Sequence, residues 1–324
     1  MKIALITGIT GQDGHHLAKL LLSKNYVVHG LVNGQRNSRE ESFHDRFPEV
    51  KLHRGDLTDL TSLISVVSAI QPDEVYNLGA ISFVGMSFQQ PELTANITGL
   101  GALRILEAIR NLGLTEQTKF YQASSSEMFG KVHETPQTEL TTFHPRSPYG
   151  VAKVFAHYIT QNYREAYGMH ASSGILFNHE GEYRGHEFVT RKITSTVAKI
   201  KYGKASEISL GNILPRRDWG YAGDYVEAMH LMLQQPKPDD YVIATGETHS
   251  VEEFLDIAFE IAEIPNGKEK YLRLDPAFNR PAEVDLLIGD ASKAATQLGW
   301  KPKVSFRALV ELMMENDLKI EARK

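Results

Sequence analysis

Apolar residues along this 324-residue chain alternate between short continuous runs and helically spaced stripes. Lys2 to Thr7 is a compact run, read as a strand; His15 to Lys24 carries Leu17, Leu20, Leu21 and Leu22, read as a helix. The same pairing recurs. Strands are predicted at Tyr26–Val32, Val50–Arg54, Glu74–Leu78, Lys119–Ser124 and His170–Phe177. Helices are predicted at Leu60–Ile70, Leu93–Leu112 and Pro148–Tyr167. In the long helix from Leu93, the residues Leu100, Leu103, Leu106 and Ile109 stand near helical spacing. Such a series predicts an α/β fold, a doubly wound parallel sheet with helices on both faces. Beyond Asn178 the alternation weakens. Helices are predicted at Phe188–Tyr202, Tyr225–Gln234, Val251–Ala262, Ala291–Leu298 and Phe306–Asn316, with short strands at Glu207–Leu210 and Val242–Ala244 and a polar loop at Pro265–Lys270. The expected division is a dinucleotide-binding domain over 1–177, to which later segments return, and a smaller mixed α/β substrate domain over 178–324.

Composition narrows the function classes. Hydrophobic residues are 42% and charged residues 23%, a globular balance. Net charge is −5, from 35 Lys+Arg and 40 Asp+Glu, so neither nucleic acid nor an anionic membrane surface is an expected partner. The chain has no cysteine, which excludes disulfides, thiolate metal sites and a cysteine nucleophile. No run reaches the roughly 18 apolar residues of a membrane span. The apolar stretch Ile3 to Ile6 is too short for a secretory leader, so a cytoplasmic enzyme is expected.

Gly8, Gly11 and Gly14 lie between the first strand and the first helix, in the segment Gly8-Ile9-Thr10-Gly11-Gln12-Asp13-Gly14. Glycines there let backbone N–H groups approach a pyrophosphate, and the helix N-terminus favours its charge. No GK[ST] follows, so this is not a P-loop. The second strand ends Leu31-Val32-Asn33, without the carboxylate that would bind a ribose 2′-hydroxyl, and Arg36 follows. That pattern favours NADP over NAD. Asp56 and Leu57 follow the third strand, placed either to meet the adenine or, for Asp56, to cap a helix.

Tyr149 and Lys153 are four residues apart near the start of a helix and share a face. A neighbouring ammonium lowers a phenol pKa, so the pair suits proton removal from a sugar hydroxyl while hydride leaves the same carbon. The strand end Ala123-Ser124-Ser125-Ser126-Glu127 lies between the loop and this pair. Ser125 can bond a substrate oxygen. Glu127 adds a carboxylate that hydride transfer alone does not need, but elimination beside a new ketone does.

Together these residues resemble the extended short-chain dehydrogenase/reductases, a Rossmann-fold group, and most closely GDP-mannose 4,6-dehydratases. ITGITGQDG (6–14), VYNLGAISFVG (75–85), YQASSSEMFG (121–130), PRSPYGVAK (145–153), GILFNHE (174–180), EFVTRKIT (187–194), RRDWG (216–220), RPAEVDLL (280–287) and LGWKP (298–302) carry the resemblance over almost the whole chain. It implies a redox-neutral dehydration with bound NADP: Tyr149 as base at C4, Lys153 lowering its pKa, Ser125 bridging O4, and Glu127 removing the C5 proton. It also implies that Thr10, Gln12, Asp13, Leu78, Ala80, Ser82, His179 and Arg184 line the cofactor. Ser82, Asn178, Lys192, Arg217, Arg280 and Glu283 are implied at the GDP-sugar. Trp219 is read as packing rather than as a platform for the base, and His179 has no neighbouring pattern that supports a metal.

The chain departs from the family pattern at several places. Gly181-Glu182 stand where Ser-Pro is usual, Ile81 replaces a glutamine, Asn279 replaces an aromatic, and Ile213-Leu214-Pro215 precede the RRDWG stretch. These leave open a related sugar such as a GDP-heptose or GDP-N-acetylglucosamine. A 4-epimerase or 4-ketoreductase would keep Tyr149 and Lys153 without needing Glu127, and a non-catalytic dinucleotide sensor would need none of the four. The resemblance further implies a homodimer or homotetramer, paired through the helices at Leu93–Leu112 and Pro148–Tyr167.

Overall fold

A computed structural model describes residues 1–278, 284 and 286–323. Its first half follows the alternation closely. β1 (Ile3–Thr7) leads to α1 (Gln12–Ser23), β2 (Val27–Val32) to α2 (Ser38–Arg46), β3 (Lys51–Arg54) to α3 (Leu60–Ile70) and β4 (Glu74–Asn77). Short helices α4 (Val84–Gln89) and α5 (Pro91–Thr94) precede α6 (Leu100–Asn111), then come β5 (Lys119–Ser125), α7 (Pro148–Tyr167) and β6 (Ala171–Leu176). The second half contains β7 (Asn178–Glu180), α8 (Val189–Lys201), β8 (Ile208–Leu210), β9 (Arg216–Arg217), β10 (Trp219–Tyr221) and α9 (Ala222–Gln234). It continues with β11 (Asp240–Ile243), β12 (His249–Ser250), α10 (Val251–Ile261), α11 (Gly267–Tyr271), β13 (Leu272–Leu274), β14 (Leu286–Leu287) and α12 (Phe306–Ala322).

Seven strands form one parallel sheet in the order β11-β6-β5-β4-β1-β2-β3. The order reverses between β1 and β4, which opens a crevice at the carboxyl ends of those strands. One face is packed by α1, α2 and α9 through Leu17, Leu21, Phe43, Val226 and Met229. The other is packed by α3, α6 and α7 through Leu63, Val67, Ile105, Ile109 and Tyr163. Each fully buried leucine or isoleucine contributes roughly 1.5–3 kcal/mol. A separate cluster gathers α8, α10 and α12 around Phe254, Leu309 and Met313. Trp219 belongs to it, stacked on Phe306 at 5.9 Å, so it packs.

The differences from the sequence reading have local causes. The Val242 strand joins the large sheet beside β6, the return of a later segment that the sequence reading expected without saying which one. The stretch from Leu93 to Leu112 is not one uniform helix: Ala95–Gly99 forms a π-turn. That turn shifts the buried stripe of α6 to Ala102, Ile105, Leu106 and Ile109 and leaves Leu100 at the surface. The Pro265–Lys270 segment holds the short helix α11 rather than only a loop. α2 is a helix that apolar periodicity does not announce, because only Glu40 and Phe43 are buried on it.

Candidate active site

The glycine loop is built for close approach. Gly8 has φ +65°, and a Cβ there would lie 2.9 Å from the Gly79 nitrogen at the exit of β4. A Cβ on Gly14 would lie 2.2 Å from the Ile9 carbonyl oxygen. Both contacts are too short for any side chain. Gly11 is the N-cap of α1 and offers no side-chain cap, so the first-turn N–H groups face the crevice uncapped by a side chain. This cradle fits a dinucleotide pyrophosphate.

A buried polar ladder beneath the loop escaped the sequence reading. The Gly79 N–H donates to Thr7 Oγ1 at 2.9 Å, Thr7 Oγ1 to Asn77 Oδ1 at 2.8 Å, and Asn77 Nδ2 to Gln122 Oε1 at 2.8 Å. It ties β1, β4 and β5 together where the crevice opens. Polar side chains inside otherwise apolar strands were its only signal.

Asp13 and His179 form a buried pair across the same region. His179 Nε2–H donates to Asp13 Oδ2 at 2.8 Å, and its Nδ1–H donates to the Phe177 carbonyl at 2.8 Å. Burial works against both charges, but their mutual attraction wins: His179 titrates above the ordinary histidine value and Asp13 below the ordinary carboxylate value. Gln12 Nε2 donates to Asp13 Oδ1 and to the His179 carbonyl, and the His179 ring stacks on Tyr225 at 4.7 Å. Both ring nitrogens of His179 are thus committed to the protein, and its ring acts by fixing the first turn of α1. Thr10 lies in the loop itself, partly buried.

Arg184 pairs with buried Glu180 at 2.8 Å and sits over the Phe188 ring at 3.5 Å. Leu78, Ala80 and Ser82 follow β4 at the mouth of the crevice, the first two half-buried and Ser82 exposed. Leu57 is buried under Gly79 and Gly101. Asp56 does not cap α3; its Oδ1 accepts from Thr58 N–H and Oγ1–H, while Asp59 caps the helix by accepting from Thr61 N–H. Arg36, past β2, is 59% exposed, with Glu41 3.5 Å away. Glu40, the buried carboxylate of α2, is held by both terminal guanidinium nitrogens of Arg54 at 2.7 and 2.8 Å.

The four residues singled out for chemistry converge at the carboxyl end of β5. Ser147 caps α7 by accepting the Gly150 N–H at 3.0 Å, and Pro148 occupies the first turn, which fixes where Tyr149 emerges. Tyr149 lies beside Ser125, whose hydroxyl favours the ionised phenol. Ser125 Oγ accepts the Glu127 N–H at 3.2 Å and so caps the short 3-10 turn Ser126–Met128 that carries Glu127, whose carboxylate acts on Tyr149. Lys153 Nζ donates to the Ala123 carbonyl at 2.6 Å and lies 5.7 Å from the Tyr149 ring centroid.

The expected lowering of the Tyr149 pKa is not found in the ligand-free chain. Burial pushes Tyr149 up to about 12, and the neighbouring Ser125 hydroxyl offsets only part of that. Burial likewise lowers Lys153 to about 8. At both groups desolvation is the largest cause, and what Tyr149 gains from Ser125 and Lys153 from Asp13 recovers only part of it.

Asn178 opens β7, which pairs with β10 through Asn178 and Trp219. Lys192 on α8 stands 3.5 Å above the exposed ring of Phe278. Arg217 is buried in β9 and donates to the Arg216 carbonyl at 2.9 Å. Arg280 and Glu283 lie outside the described residues. The departing loop finds its own partners: Tyr183 stacks on His15 at 4.7 Å beneath the Arg46 guanidinium, and Glu182 stands 3.6 Å from His16. Among the described residues, no group of three His, Asp or Glu is placed to hold a metal, and no helix is long and apolar enough to cross a membrane.

The family model described as GDP-mannose 4,6 dehydratase matches residues 5–313. The chain belongs to the GDP-mannose 4,6-dehydratase family. It is 52% identical over 333 residues to GDP-mannose 4,6 dehydratase 1 of Arabidopsis thaliana, covering all of this chain and 91% of that one. It is 48% identical over 346 residues to the GDP-mannose 4,6 dehydratase of Homo sapiens, covering 98% and 92%. Among solved structures, the UDP-glucose 4-epimerase of Thermus thermophilus in complex with NAD superposes with a TM-score of 0.85 at 28% identity, covering 97% and 98%. The chain thus shares its fold with a sugar epimerase.

Proposed function

We infer that this chain removes water from GDP-mannose, using NADP as a recycled hydride carrier, and that Ser125, Glu127, Tyr149 and Lys153 do the chemistry. One observation carries the assignment of roles. The short turn that Ser125 caps at the end of β5 brings the Glu127 carboxylate within electrostatic reach of Tyr149, beside the strand end that receives Lys153. A C4 base and a C5 base then serve one sugar.

A nicotinamide dinucleotide held at the cradle of Gly8, Gly11 and Gly14 would supply the hydride acceptor and donor for this chemistry. Ser125 and Tyr149 hold O4, and Tyr149 takes its proton as C4 becomes a ketone. Glu127 removes the C5 proton, which the new ketone acidifies, and passes it to the departing C6 hydroxyl, so water leaves. The proton held at Tyr149 replaces the one lost from C5 once C6 has become a methyl group. Lys153 stays protonated at neutral pH and anchors α7 to Ala123 throughout.

NADP rather than NAD is supported by the exposed Arg36 and by the absence of a carboxylate at the end of β2. Arg54 neutralises Glu40, which lessens the repulsion that α2 would otherwise offer a 2′-phosphate. Lys192 and Arg217 suit the diphosphate and nucleoside end. A cytoplasmic site of action belongs to the same reading, supported by a cysteine-free composition that needs no oxidising compartment.

The test is mass spectrometry of products after incubation with NADP and, separately, GDP-mannose, a GDP-heptose and GDP-N-acetylglucosamine. Loss of one water from GDP-mannose, with no net reduced cofactor, is expected. Water loss confined to either other sugar overturns the substrate assignment.

Pairing of two copies is part of this reading. Leu93, Leu100, Val151, Phe155 and Tyr158 are exposed large apolar side chains on α5, α6 and α7. Such a concentration on one set of neighbouring helices suits a helix-packed interface with a second copy. Solution scattering is expected to give at least twice the chain mass, and Val151→Glu with Phe155→Glu to give monomers. A monomeric native chain contradicts the pairing.

A further inference from the structure

The stripe of α7 that carries Tyr149 and Lys153 continues, four residues at a time, through His157 and Gln161. His157 is 2% exposed. Its Nδ1 lies 3.0 Å from Ser124 Oγ, and its Nε2 lies 3.1 Å from Gln161 Nε2. Gln161 Nε2 also donates to Asp240 Oδ2 at 2.8 Å. Asp240 in turn accepts from both terminal guanidinium nitrogens of Arg164, at 2.7 and 3.0 Å, and from the Ser173 N–H at 3.0 Å.

The directions of these bonds follow from one fixed point. Asp240, paired with Arg164, is an acceptor only. The Gln161 nitrogen must therefore face it as donor. The same nitrogen faces His157 Nε2, which must then accept. His157 is left neutral, with its proton on Nδ1, and donates it to Ser124. A second proton on the ring would set N–H against N–H at Gln161, and burial also disfavours the charged ring.

Two consecutive residues of β5, Ala123 and Ser124, are thereby fastened to two successive turns of α7 through Lys153 and His157, and Ser125 lies beside Tyr149 one turn earlier. The far end of this bond series is anchored on β6 and β11 through Ser173 and Asp240. The Phe143 ring closes edge-on over His157 at 5.3 Å. We propose that His157 is a positioning residue for the catalytic helix: its Nδ1–H bond to Ser124 holds α7 at the register in which Tyr149 meets Ser125 and the substrate oxygen. This rests on the reading of Tyr149 as the C4 base.

The experiment compares His157→Phe, which keeps a ring and loses both bonds, with His157→Asn, whose amide nitrogen can donate to Ser124 from about the place of Nδ1. Ser124→Ala removes the same bond from the strand side. In the Phe and Ala variants, kcat for GDP-mannose should fall about tenfold, as small misplacements of reacting groups do. KM and cofactor affinity should stay within about twofold of the native values. The isotope effect on kcat with C4-deuterated GDP-mannose should rise in both, because hydride removal becomes limiting. The Asn variant should regain most of kcat and the native isotope effect. Unchanged kcat in His157→Phe and Ser124→Ala overturns the positioning role, as does a loss in KM alone or a His157→Asn no better than the Phe variant. Native protein that fails to dehydrate GDP-mannose would instead overturn the reading of the site on which the proposal rests.

Discussion

Glu127→Gln should lose dehydration of GDP-mannose by about 10³-fold while C4 oxidation survives, since a positioned base contributes roughly 10²–10⁴-fold. The substitution keeps the shape of the side chain and leaves the backbone bond from Glu127 N–H to Ser125 Oγ in place. With no base at C5 the reaction stops at the 4-ketone. Stopped-flow absorbance should show reduced nicotinamide accumulating in the variant, where the native enzyme shows none at steady state. Product forming at the native rate would remove Glu127 from the mechanism and return the site to the simpler hydride chemistry of an epimerase.

The second large effect lies one step earlier. Tyr149→Phe should depress turnover by about 10³-fold, and no reduced nicotinamide should form, because O4 keeps its proton. The pair of variants therefore separates the two half-reactions: one halts after hydride leaves C4, the other before. The loss in Tyr149→Phe is chemical rather than structural. Ser125 stays at the strand end beside the ring, and α7 is held by Lys153 on Ala123, by His157 on Ser124 and by the Ser147 cap. Accumulation of reduced nicotinamide in this variant would show that another group takes the O4 proton.

Much of this site was legible in the chain before any coordinates. Glycines directly after a short strand mark a dinucleotide cradle because backbone must touch backbone there, as Gly8 and Gly79 do. Tyr149 and Lys153 are visible as a pair because a helix places residues four apart on one face. Glu127 is visible because a carboxylate at a strand end beside that pair has little structural purpose. What the sequence hides is what depends on distant partners. The Thr7–Asn77–Gln122 ladder joins residues far apart in the chain, and no local pattern pairs them. Which later segment returns to the sheet depends on packing beside β6, not on the short apolar run of β11 itself.

Electrostatic environment is the least legible property. The spacing of Tyr149 and Lys153 suggests a lowered phenol pKa, but burial is a property of the whole fold, and it reverses the sign. α2 could have been found another way. Asn37 accepts from the Arg39 and Glu40 N–H groups, so an Asn followed three residues later by Glu was a start signal where periodicity gave none. The loop departures at Gly181, Glu182 and Tyr183 looked like changes to the sugar pocket. Tyr183 and Glu182 instead face His15, His16 and Arg46, so those changes are packed against α1 and α2.

The most direct test of the central claim, an internal hydride transfer coupled to loss of water, uses GDP-mannose deuterated at C4. Products are read by mass spectrometry and proton NMR. The account predicts a 4-keto-6-deoxy sugar one water lighter, with the deuterium retained in the new methyl group at C6. Deuterium found in reduced cofactor or lost to solvent, or retained at C4 with no water lost, would contradict it.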